Sequence, residues 1–97
     1  MKAIFIAYNQ AYNQEIVELL ENCGQRGYTV WEEIGGRGGI SGEPHLGSHA
    51  WPTQNHAVLS AVPDEVVGEV MEGLRRKDEA NPDLGLRAWV WNIEQAY

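Results

Sequence analysis

The sequence predicts an α+β domain in which two βαβ halves share a four-stranded antiparallel sheet with two helices on one face. Three observations carry this. Ile16, Leu19, Leu20 and Cys23 fall at i, i+3, i+4 and i+7, and Val67, Val70, Met71 and Leu74 repeat that spacing, so each set marks one apolar face of an amphipathic helix. Each helical pattern lies between two runs rich in β-branched, aromatic and aliphatic residues. A Gly-rich link at about 35–55 separates the halves. The order β-α-β, link, β-α-β is that of a ferredoxin-like βαββαβ sandwich over residues 1–97.

The elements follow in chain order. Residues 2–8, with Ile4, Phe5 and Ile6, read as the first strand. Asn13 is expected to cap the first helix and Gly24 to stop it. Residues 28–34 form the second strand and 56–62 the third. Asp64, after Pro63, is expected to cap the second helix, and Arg75, Arg76 and Lys77 towards its end suit the helix dipole. Residues 86–93, with Ala88-Trp89-Val90-Trp91, form the last strand. Both parities of these strands are apolar. Ile4 and Ile6 oppose Ala3, Phe5 and Ala7; Tyr28, Val30 and Ile34 oppose Trp31; Ala88 and Val90 oppose Trp89, Trp91 and Ile93. A sheet with helices on one face only then needs a second cover, and a symmetric oligomer supplies it.

The link carries Gly35, Gly36, Gly38, Gly39, Gly42 and Gly47 with Pro44 and Pro52, and little helix or strand pattern. A structureless stretch of this length in a small domain is usually functional or disordered.

Composition removes several classes of function. The chain has 97 residues, 43% of them hydrophobic, which fits one globular domain with a thin core. Fourteen acids against seven bases give a net charge of −7 and no basic footprint for a nucleic-acid backbone or an anionic membrane. No apolar run approaches the roughly 18–20 residues of a membrane-spanning helix. The short apolar run after Met1 and Lys2 reads as a strand and not as a signal peptide. A single cysteine forms no internal disulfide framework. A cytoplasmic protein without membrane insertion is the expectation.

All three histidines lie between residues 45 and 56. His45 and His49, with Glu43 nearby, are compatible with a divalent transition metal such as zinc, copper or nickel, because neutral imidazole is a good borderline ligand. The plainer alternatives are solvent-facing histidines, or His56 hydrogen-bonded at a strand start. Titration near neutrality is a third use. Trp51-Pro52 is expected to pack the loop back onto the body, and Cys23 and Met71 to join the core. Ser48 next to His49 does not make a nucleophile–base pair, since such partners meet in space and need an orienting acid. Tyr8-Asn9-Gln10-Ala11-Tyr12, after the first strand, carries no cation for a phosphate loop of acylphosphatase type. The aromatic motifs of RNA-binding domains of this topology are absent too. No catalytic constellation emerges.

The chain resembles the nitrogen regulatory protein P-II superfamily. The resemblance rests on Met1-Lys2 opening directly into a strand, on Cys23-Gly24-Gln25-Arg26-Gly27-Tyr28-Thr29-Val30 between helix and strand, on the Gly36-Arg37-Gly38 turn with Gly42 beyond it, and on Val62-Pro63-Asp64-Glu65. It implies a non-enzymatic signalling homotrimer. Its long T-loop, here about 35–55, docks on a regulated transporter or enzyme, and an adenine nucleotide binds between subunits at the foot of that loop. Gly36, Arg37, Gly38, Gly42 and Arg87 are the residues this assigns to the ligand; glycine backbone N–H groups can approach phosphate oxygens and Arg37 adds charge. The chain departs from the family pattern in two places. Typical members have a Gly- and Lys-rich phosphate loop before the last strand, whereas residues 77–87 carry Asp78, Glu79 and Asp83 with the one glycine Gly85. Lys77 and Arg87 are expected to offset those carboxylates in part. Residues 35–55 also contain no tyrosine. The related copper-tolerance (CutA-like) trimers share the fold, and a metal-homeostasis role through His45, His49 and Glu43 is the alternative reading.

Overall fold

The computed structural model describes residues 1–36, 47, 54–82 and 85–97. Its elements are β1 (Lys2–Asn9), a 3-10 turn (Gln10–Tyr12) running into α1 (Asn13–Asn22), β2 (Thr29–Ile34), β3 (Asn55–Val62), a 3-10 turn (Asp64–Val66) running into α2 (Val67–Ala80), and β4 (Arg87–Asn92). The sheet order is β2-β3-β1-β4, and every neighbouring pair is antiparallel. Each βαβ half therefore brackets a strand of the other, which is the ferredoxin-like arrangement the sequence predicts.

Register decides which side chains meet the helices. Tyr8 lies opposite His56, Ile6 opposite Val58 and Ile4 opposite Ser60. On the helix side, Ile4, Ile6 and Tyr8 of β1 and Val58 and Val62 of β3 pack with Ile16 and Leu20 of α1 and Val70 and Leu74 of α2. Leu19, Cys23, Val67 and Met71 complete this core from its margin, as their helical spacing requires. Burial pushes the Cys23 thiol up, as befits a packed cysteine.

Both expected helix caps are corrected. Asn13 does not cap α1. The turn begins earlier, where the Asn9 side chain accepts the Ala11 N–H at 2.9 Å, and the Asn13 Oδ1 accepts instead from the Tyr8 hydroxyl at 2.6 Å. Asp64 does not cap α2. Val66 holds the cap position of α2 with no side-chain cap; Pro63, with extended backbone, caps the preceding 3-10 turn, its carbonyl accepts the Val66 N–H at 3.0 Å, and the Asp64 carboxylate pairs with the Met1 amino group at 2.7 Å. Gly24 does end α1. At φ +81° it lets its own N–H reach the Glu21 carbonyl at 2.9 Å and the Gln25 N–H reach the Leu20 carbonyl at 2.8 Å, the two bonds of a Schellman motif.

Strict alternation also fails in β2. Trp31 lies opposite Ala57, but Ile34 lies opposite Asn55, so Glu32 and Glu33 share the space facing His56. Glu33 takes φ +55° at this bulge. The extra residue turns Ile34 to the same side as Trp31, not to the side of Val30 as simple parity predicts. The face away from the helices thus carries Phe5, Trp31, Ile34, Leu59, Trp89 and Trp91. Trp31, Trp89 and Trp91 remain 42%, 52% and 49% exposed there, in keeping with an apolar sheet face that needs another cover.

Candidate functional site

The β2 bulge and the approach to β4 make a cleft at one end of this open face. Ile34, Gly35 and Gly36 leave β2 on one side, and Gly85 and Arg87 enter β4 on the other. Between them Ala7, Asn55, Phe5 and Trp89 form the floor of a cleft of about 250 Å³. The space exists because small residues stand beside large ones. A Cβ at Gly36 would lie 2.5 Å from the Asn55 Nδ2, so any larger residue there would have to displace the Asn55 side chain. Gly85, at φ +73°, turns the chain into β4.

The cleft combines three kinds of chemistry. Phe5 and Trp89, with ring centroids 6.0 Å apart, offer apolar faces to a planar group. Gly35, Gly36 and Gly85 leave backbone uncovered by side chains. Arg87 supplies a guanidinium, held by one hydrogen bond to the Leu86 carbonyl at 2.7 Å. Its Nη1 also stands 3.9 Å from the Asp78 Oδ1 near the end of α2, and that oxygen is buried without a hydrogen-bond partner. A planar organic anion matches this set of groups.

Of the residues the sequence assigns to a ligand, Gly36 and Arg87 come together on this cleft. Arg37, Gly38 and Gly42 lie outside the described residues, as do Glu43, His45, His49 and the Trp51-Pro52 pair. Lys77 is not a neighbour of Arg87 in the cleft. It lines a separate groove between α1 and α2 with Tyr12 and Leu19. His56 packs beside Tyr8, with ring centroids 6.2 Å apart, and its Nδ1 is buried without a hydrogen bond, contrary to the hydrogen-bonded strand-start reading. Among the described residues no group of three or more His, Cys, Asp or Glu side chains is placed to hold a metal ion. Sequence reasoning missed Phe5, Trp89, Gly85 and Asn55 as cleft residues. The alternation that puts Arg87 and Trp89 on one face was the available signal.

The family model described as nitrogen regulatory protein P-II matches residues 1–97. The chain belongs to the P-II family. No curated protein matches it. Among solved structures, the P-II chain is similar to CPII, a nitrogen regulatory PII-like protein from Thiomonas intermedia. One CPII structure, bound to ADP, AMP and bicarbonate, is 26% identical with a TM-score of 0.79, covering 95% of this chain and 84% of that one. Another, bound to ADP and bicarbonate, is 27% identical with a TM-score of 0.78 and the same coverage. A PII-like signaling protein from Thermus thermophilus is 25% identical with a TM-score of 0.66, covering 95% of this P-II chain and 85% of that one. No helix among the described residues of this P-II chain is long and apolar enough to cross a membrane.

Proposed function

We propose that this P-II chain is a non-enzymatic regulator. It binds an adenine nucleotide in the cleft bounded by Gly36 and Arg87, and its long loop at about 35–55 carries the bound state to a partner protein. The observation that carries the reading is the meeting of Gly36 and Arg87, set aside by sequence for a ligand, on one cleft with an aromatic floor. The ADP and AMP bound to CPII support the choice of ligand. A homotrimer completes the site. The exposed Trp31, Trp89 and Trp91 face adjoins the cleft, and neighbouring copies that cover this face also wall the bound nucleotide. The family resemblance also assigns Arg37, Gly38 and Gly42 to this ligand.

Isothermal titration with ADP, with and without bicarbonate, tests the site. Arg87→Gln removes one charge-assisted contact and should weaken ADP by roughly ten- to a hundredfold. Arg37→Ala should weaken it comparably. Wild-type affinity in both variants would remove the nucleotide from this cleft.

A further inference from the structure

The Asp78 carboxylate stands where its charge works against its own helix. It sits in the last turn of α2, where the negative end of the helix dipole disfavours an acid. It makes no hydrogen bond through Oδ1, although that atom is buried. Its charged neighbour is the Arg87 guanidinium, 3.9 Å away. A carboxylate that breaks a local rule beside a cleft cation is a candidate for function.

We infer that Asp78 sets the charge selectivity of the cleft: its carboxylate competes with ligand phosphate for Arg87, and so biases the site towards nucleotides with few phosphates. The inference rests on the nucleotide reading above. Geometry decides the sign. A carboxylate holding Arg87 in a productive pose would hydrogen-bond to it, and 3.9 Å is too long for that. The hydrogen bond that does fix Arg87 comes from the Leu86 carbonyl. What Asp78 contributes is therefore its charge, which cancels part of the field that Arg87 offers an anion. The repulsion acts on every phosphate charge in the cleft and grows from AMP to ADP to ATP.

The test is a ladder of affinities for AMP, ADP and ATP, measured without divalent cation on wild type, Asp78→Asn and Asp78→Glu. Asp78→Asn keeps the shape and removes the charge. It should tighten binding, with the gain widening by about threefold for each added phosphate and shrinking at high salt. Asp78→Glu should keep the wild-type ladder. In an Arg87→Gln background the gain from Asp78→Asn should fall, because the contested cation is gone. A merely structural role for Asp78 would shift all three nucleotides alike. An unchanged or uniformly shifted ladder in Asp78→Asn would overturn the inference and leave the nucleotide site standing. A wild type that binds none of the three would overturn both.

Discussion

Tyr8 shows at the scale of one residue how the core handles a polar atom. Its side chain is fully buried, and its hydroxyl donates to Asn13 Oδ1 at 2.6 Å. Burial, with Tyr28 and Glu32 adding negative charge nearby, pushes its ionisation up to about 12 from 10.0. Between those values the unfolded chain gives up this proton while the folded chain keeps it, so stability falls as pH rises. The contribution, about 2–3 kcal/mol, is intact below pH 10 and lost as pH passes through 12. Alkaline unfolding should therefore steepen across that window, with Tyr8 the last tyrosine to gain phenolate absorbance. Tyr8→Phe should remove the steepening and cost about 1 kcal/mol at neutral pH. A phenolate titration of the folded protein in which every tyrosine ionises near pH 10 would contradict this. The pair was not legible in the sequence. Asn13 precedes an apolar helical run and reads as a cap, and only the earlier turn set by Asn9 frees it for Tyr8.

At the scale of elements, glycine positions separate three physical effects. Gly24 sits at φ +81° in the Schellman turn, so Gly24→Ala should cost about 1–2 kcal/mol. Gly68 lies in α2 with open space around it, and Gly68→Ala should stabilise by about 0.5–1 kcal/mol. Gly73 is also helical, but a Cβ there would meet Leu19 Cδ1 at 2.6 Å, so it lets α2 approach α1. Gly73→Ala must move Leu19 and should gain clearly less than Gly68→Ala. Denaturant unfolding of the three variants checks the order, and equal gains at 68 and 73 would refute the packing role. The helices themselves were legible because their apolar spacing is regular. The turn of Ile34 to the open face was not. It depends on the extra residue and the positive φ at Glu33, and alternation alone places Ile34 with Val30.

At the scale of the whole molecule the question is what covers the open sheet face. Phe5 lies 5.8 Å from Trp31 and 6.0 Å from Trp89, and together with Trp91 they form a broad aromatic surface. Apolar residues on both parities make this surface legible in the sequence. The cleft was legible only in part, because Gly36 and Arg87 stand far apart in the chain and are brought together by the β2-β3-β1-β4 strand order. In a trimer, Trp91→Asp places a charge in the covered face without touching the cleft lining. It should yield monomers that keep their helical circular dichroism, and a variant that stays trimeric would place the interface elsewhere. The measurement that bears most directly on the account is native mass spectrometry of the wild-type protein with ADP. The expected result is a trimer carrying one ADP per subunit, with nucleotide occupancy sharply lowered in Arg87→Gln while the trimer persists. A monomer, or a trimer that takes up no ADP, would contradict it.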